Sequence, residues 1–240
     1  MNLLKIKASY NLWVAGWLLV TLVAGCNSKT ETSQTQAEKP AAADSAKKPV
    51  GGEKKTILFF GNSLTAGYGL DPAQAFPALV GEKAKAAGYD YQVINAGVSG
   101  ETTAGGKSRI SWVLRQPVDV FVLELGANDG LRGIPLDDSG KNLQAIIDTV
   151  KLKNPQVQIV IAGMHIPPNL GTDYSSQFYK LFVTLSRKNK AELIPFLLED
   201  VGGIPKLNQA DGIHPTAEGH KIVAENVWKV LEPVLQKQQL

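Results

Sequence analysis

Four short segments of this chain carry side chains that could perform acyl-transfer chemistry. In Gly61-Asn62-Ser63-Leu64-Thr65-Ala66-Gly67-Tyr68-Gly69 a serine sits on a glycine-flanked turn, where a hydroxyl can stand exposed as a nucleophile. Gly and Ser are also ordinary loop residues, and Thr65 keeps the segment from being a Gly-x-Ser-x-Gly elbow. Gly97-Val98-Ser99-Gly100 offers Gly100, whose backbone N–H can approach a ligand closely. Gly126-Ala127-Asn128-Asp129-Gly130 offers the Asn128 carboxamide, either a turn former or a fixed donor to a developing oxyanion. Asp211-Gly212-Ile213-His214 has the i, i+3 spacing that lets a carboxylate reach Nδ1–H of the histidine, fixing its tautomer and leaving Nε2 as a base. The same Asp could instead cap a helix-opening turn. Taken together, Ser63, Asp211 and His214 supply nucleophile, orienter and base, and Gly100 with Asn128 supplies the oxyanion donors.

That combination works only if one architecture brings the four segments to one place. Thr56–Phe60, Gln92–Asn95, Val118–Leu125, Gln158–Met164 and Glu192–Ile194 are short runs rich in Val, Ile, Leu and Phe, bounded by Gly, Asn or Pro, and they read as buried strands. Helical stripes alternate with them. Leu143, Ile146, Ile147 and Val150 share one face, as do Phe178, Leu181, Phe182 and Leu185, and finally Ile222, Val223, Val227, Val230, Leu231 and Val234. Five strands alternating with helices predict an α/β fold with a doubly wound parallel sheet and right-handed crossovers. Ligands bind such sheets beyond the carboxyl ends of the strands, which is where each of the four segments falls.

Composition narrows the alternatives. One cysteine among 240 residues cannot form an intrachain disulfide, and three histidines without partner cysteines leave little for a structural zinc site. No cofactor or metal is called for by these residues. The formal charge of +3 is unevenly spread: residues 1–25 carry Lys5 and Lys7 and no acid, whereas residues 26–55 carry six lysines and four acids. The remaining stretch holds 17 basic and 18 acidic residues, so nothing supports a nucleic-acid partner. Gly105-Gly106-Lys107-Ser108 nearly completes a phosphate-binding loop, but the required glycine at 101 is Glu.

Lys5 and Lys7 precede the apolar run Leu12–Ala24, too short to span a bilayer and of the length expected for a secretory signal, assigning 1–25 to a signal peptide. Val23-Ala24-Gly25-Cys26 resembles the lipobox of bacterial lipoproteins, which implies that Cys26 becomes a lipid-modified first residue and anchors the chain to a membrane. Asn27 after the cysteine points by the same sorting habit to the outer membrane of a Gram-negative host. Residues 26–55 are polar, Ala- and Pro-rich and read as a tether with an r.m.s. reach of roughly 30 Å. Residues 56–240 then form one catalytic domain, expected to be monomeric.

The four blocks, in this order over almost the whole of that domain, resemble those of the SGNH (GDSL-type) hydrolases. Asn62–Gly69, Val98–Thr102 and Glu124–Gly133 are similar in particular to the bacterial arylesterase, thioesterase I and lysophospholipase branch. The resemblance implies a flavodoxin-like sheet in the order 2-1-3-4-5, cofactor-free serine hydrolysis of aryl esters, lysophospholipids and thioesters, the roles given above for Ser63, Gly100, Asn128, Asp211 and His214, and an oxyanion hole that the Ser63 backbone N–H completes. One position departs: the family has Gly-Asp-Ser where this chain has Gly61-Asn62-Ser63, which removes a charge beside the nucleophile and implies a changed pH optimum or substrate preference rather than inactivity. A carbohydrate O-acetyl esterase is the runner-up within the enzyme class, and a catalytically silent binding lipoprotein the alternative outside it. His165 reads first as a packed wall residue and second as a lining residue of an acyl pocket. His220 reads as a helix-surface residue, and Asp129 and Arg132 as either substrate contacts or loop anchors.

Overall fold

The computed structural model describes residues 54–166 and 171–238, and Cys26 with the signal and tether segments lies outside them. Five parallel strands form one sheet in the order β2-β1-β3-β4-β5: β1 (Lys55–Gly61), β2 (Tyr91–Gly97), β3 (Val120–Glu124), β4 (Gln158–Ala162) and β5 (Glu192–Ile194). The doubly wound sheet and its strand order agree with the sequence reading. In β1, β3 and β4 the side chains of Ile57–Phe60, Val120–Leu123 and Ile159–Ala162 are all buried, as strands covered on both faces must be.

Helices cover those faces. α2 (Phe76–Ala86) packs against α7 (Ala217–Lys237) on one side, and α3 (Thr103–Val113), α5 (Leu136–Lys153) and α6 (Thr172–Asn189) follow one another on the other. The stripes Leu143/Ile146/Ile147/Val150 and Phe178/Phe182/Leu185 are buried in a single core together with Phe59, Phe60, Phe121, Val223, Val227 and Leu231. The near phosphate loop is no loop at all: residues 105–108 lie inside α3, and a Cβ on Gly106 would overlap Leu125 and Phe60, so this glycine serves packing.

At the amino ends of the strands the domain closes on itself. Lys55 Nζ donates to the Gln238 carbonyl (2.7 Å), Tyr91 Oη to Gln238 Oε1 (2.8 Å), and Gln238 Nε2 to the Asp119 carbonyl (3.2 Å). The opposite edge is open, and β1, β2, β3 and β4 deliver their loops there.

Candidate active site

Ser63 follows β1 directly, at the start of α1 (Ser63–Ala66), a single helical turn. The turn is tight because three residues permit it. Asn62 caps it, its Oδ1 accepting the Leu64 N–H (2.9 Å), and Gly67 ends it in the left-handed region at φ 71°. Gly97 lets β2 pass so close that a Cβ there would overlap the Ala66 backbone.

The last strand leads through a long loop to the Asp-x-x-His segment. A β-bridge between Asn208 and Pro215 pinches the base of residues 209–214, and Gln209 N–H donates to the His214 carbonyl (2.7 Å). Within the loop, Asp211 Oδ1 accepts the N–H groups of Ile213 and His214 (3.0 Å each), while Oδ2 lies 2.7 Å from His214 Nδ1. The carboxylate is therefore the partner of the imidazole and shapes its own loop, but it does not cap the helix that follows: that N-cap is Thr216, whose Oγ1 accepts the Gly219 N–H (3.3 Å). The hydrogen bond from His214, followed by those two N–H groups, pulls the Asp211 carboxyl down to about 2. His214 Nε2 lies 2.9 Å from Ser63 Oγ, completing a continuous chain from Asp211 to Ser63. Tyr68 lies against the imidazole with ring centroids 4.6 Å apart, and Gln209 Nε2 holds the Tyr68 carbonyl (2.7 Å), so the serine and histidine loops are tied by more than their shared hydrogen bond.

Gly100 and Asn128, the latter on the short α4 (Ala127–Leu131), line the same cavity as Ser63 and His214. Gly100 has φ 77°, a conformation unfavourable for side-chain-bearing residues, although a Cβ would meet no neighbour. Asn128 Nδ2 donates one hydrogen to the Glu101 carbonyl (2.9 Å), which orients the carboxamide and leaves its second N–H for a ligand. Glu101 is itself held by Arg109, with contacts of 2.5 and 2.6 Å. Asp129 and Arg132 turn out to anchor: buried Asp129 accepts from Thr103 N, Thr103 Oγ1 and Ser139 Oγ (2.9, 2.5 and 3.2 Å), and Arg132 reaches the Gly100 carbonyl (3.3 Å).

The cavity beside Ser63 is about 650 Å³, with Leu64, Leu131, Met164, Ile166, Phe196 and Ile213 in its wall. His165 belongs to this wall but is exposed rather than packed away, stacked on Tyr179 at 4.4 Å and edge-on to Phe196 at 4.7 Å. His220 corrects the sequence reading outright. It is 1 % exposed, its Nδ1 accepts the Phe76 N–H (3.1 Å), and burial, reinforced by His214, lowers its pKa to about 4. The core stripe of α7 (Val223, Ala224, Val227) lies three, four and seven residues beyond His220 and so places it on the buried face of the helix.

Three contributors went unassigned from sequence: Tyr68, Gln209 and Glu124. Glu124 had a readable signal, a lone acid closing the apolar run Val120–Leu123. Its carboxyl is fully buried, and burial pushes it up to about 7 despite hydrogen bonds from Thr65 and Asn62.

The site sits in a chain with well-matched relatives. Esterase TesA of Pseudomonas aeruginosa is 38% identical over 182 residues, covering 75% of this chain and 90% of that protein. The thioesterase 1/protease 1/lysophospholipase L1 of Escherichia coli strain K12 is 34% identical over 181 residues, covering 75% and 85%. Among solved structures, psychrotrophic esterase EstA from Pseudoalteromonas sp., inhibited by monoethylphosphonate, superposes with a TM-score of 0.71 at 32% identity over 76% of this chain and 100% of that one. Residues 59–222, which contain every element of the site, match the model of the GDSL-like lipase/acylhydrolase family, and the chain belongs to that family.

Proposed function

We propose that this acylhydrolase cleaves carboxylic esters of apolar acyl chains through an acyl-enzyme on Ser63. One observation carries the reading: the hydrogen-bonded chain Asp211–His214–Ser63 opens onto an apolar cavity of about 650 Å³. His214 Nε2 takes the Ser63 proton as Oγ attacks the ester carbonyl, and Asp211 stabilises the imidazolium that forms. The N–H groups of Ser63 and Gly100 and the free N–H of Asn128 receive the oxyanion. The intermediate collapses as His214 protonates the departing alcohol, and a water activated by the same imidazole releases the acid. Aryl esters, lysophospholipids and thioesters all present the required acyl carbonyl, and the names of the relatives span esterase, thioesterase and lysophospholipase.

A p-nitrophenyl ester series from acetate to palmitate tests the substrate class. The apolar wall predicts kcat/KM rising from acetate to a medium chain by roughly tenfold or more, about 0.8 kcal/mol accruing for each CH₂ fully buried. Activity confined to acetate would instead indicate a carbohydrate O-acetyl esterase, and no turnover of any ester a silent binding protein.

Export and anchoring through Cys26 complete the proposal, supported by the Leu12–Ala24 run and the small residues before the cysteine. Palmitate fed to growing cells should label the full-length chain in the membrane fraction and fail to label Cys26→Ser; equal labelling of both would refute lipidation there.

A further inference from the structure

Glu124 is 2 % exposed, and among the described residues no cation pairs with it; Arg109, the basic residue bonded to the Gly61 carbonyl, is committed to Glu101. A carboxylate in such a place is costly to the fold and is tolerated only if donors surround it. Donors do surround it, and all belong to Asn62 and Thr65, on either side of the serine. Oε2 accepts the Asn62 backbone N–H (3.1 Å) and Thr65 Oγ1 (2.8 Å), Oε1 accepts Asn62 Nδ2 (2.7 Å), and the Thr65 backbone N–H also serves the carboxyl. Gly61 is glycine for the same reason, since a Cβ there would overlap Thr65 Oγ1 and the Glu124 carboxylate.

We propose that Glu124 is a positioning residue for the nucleophile: its carboxylate and the Asn62 carboxamide form a complementary pair that fixes which way the carboxamide faces beneath Ser63. With Nδ2 held by Glu124, Oδ1 is obliged to face the Leu64 N–H (2.9 Å) and stands 3.4 Å from Ser63 Oγ. The serine hydroxyl has one hydrogen and two acceptors in reach, Oδ1 at 3.4 Å and His214 Nε2 at 2.9 Å. Anchoring the carboxamide keeps Oδ1 on the Leu64 N–H and leaves the hydroxyl hydrogen to the imidazole. A carboxamide turned the other way would set two donors against each other at Leu64 and abolish the cap.

The inference rests on Ser63 being the nucleophile, and its test separates the two. The pair has a direction, so it can be exchanged. Glu124→Gln can keep an oxygen toward the Asn62 N–H and Thr65, but its amide nitrogen then meets Asn62 Nδ2, donor against donor. Asn62→Asp/Glu124→Gln restores one donor and one acceptor at that contact with the roles reversed. The readouts are the second-order rate of Ser63 labelling by a fluorophosphonate probe at about pH 8.5, where the carboxyl is ionised, and kcat and KM for an aryl ester. Glu124→Gln should slow labelling and lower kcat by about 10-fold or more with KM little changed, the size expected of one unsatisfied buried donor. The double variant should return to within about threefold of the wild type, the non-additivity that marks a coupled pair. If Glu124→Gln does not fold, the double variant decides alone by labelling at a near wild-type rate or failing to. A double variant no faster than Glu124→Gln, or a Glu124→Gln as fast as the wild type, would overturn the proposal. Failure of the wild type to label at Ser63 would instead remove the nucleophile assignment on which it rests.

Discussion

Replacing Ser63 with alanine is expected to lower kcat/KM for an aryl ester by at least about 10⁴-fold, because no other group can form the acyl-enzyme and only transition-state contacts remain. The fold should not register the change. Ser63 contributes a hydroxyl that bonds His214 and grazes Asn62, while the turn itself is held by the Asn62 cap, the Glu124 contacts and the Gly67 termination. Initial rates with p-nitrophenyl butyrate and a circular dichroism spectrum check both halves together. Residual activity near the wild-type level with an intact spectrum would show that ester cleavage does not pass through Ser63.

The second expected effect is on stability, and it is visible only when two buried groups are separated. Glu124 has its pKa raised from 4.5 to about 7, chiefly by burial, so the folded state holds that proton more tightly than the unfolded chain. Its contribution to stability is full below pH 4.5 and is lost as the pH rises through 7, a swing of about 3 kcal/mol. His220 has its pKa lowered from 6.5 to about 4, first by burial and then by His214, so the folded state resists its protonation. Its contribution is full above pH 6.5 and is lost as the pH falls through 4, again about 3 kcal/mol. The two swings oppose each other over nearly the same interval. Asp211 stays out of it, because its lowered pKa near 2 acts between 3.8 and 2. Urea unfolding of the wild type between pH 4.5 and 7.5 should therefore give a nearly level stability. Glu124→Gln should lose stability on acidification by roughly 2–3 kcal/mol, and His220→Gln should gain a similar amount. Variant profiles that run parallel to that of the wild type would refute the compensation.

How far the structure was legible in advance depended on whether a signal was local. Runs such as Ile57–Phe60 and Val120–Leu123 are buried on both faces and announce themselves as central strands, and the Asp211-to-His214 spacing alone constrains that pair. Strand ends were less legible because pairing, not composition, sets them. Val118 is as apolar as its neighbours, but its N–H goes to Asn154 Oδ1 and β3 begins only at Val120. The edge strand β2 runs two residues beyond Asn95 because its partner β1 continues to Gly61, which pairs with Gly97. Tyr68 and Gln209 could not have been assigned at all, since their roles are contacts between loops some 140 residues apart in the chain. Glu124 and His220 are a different case. Each broke a local pattern, an acid at the end of an apolar strand and an imidazole on an apolar stripe, and both breaks mark buried polar groups with specific partners.

The seam where Lys55 meets Gln238 has a practical meaning for handling this enzyme. Because Lys55 and Gln238 lie side by side at the amino ends of the strands, away from the catalytic mouth, a short linker could join these two positions and fresh termini could be cut in a surface loop elsewhere. For the same reason, cargo or a solid support attached beside Lys55 or Gln238 would leave substrate access free, so the fold lends itself to oriented immobilisation and to circular permutation.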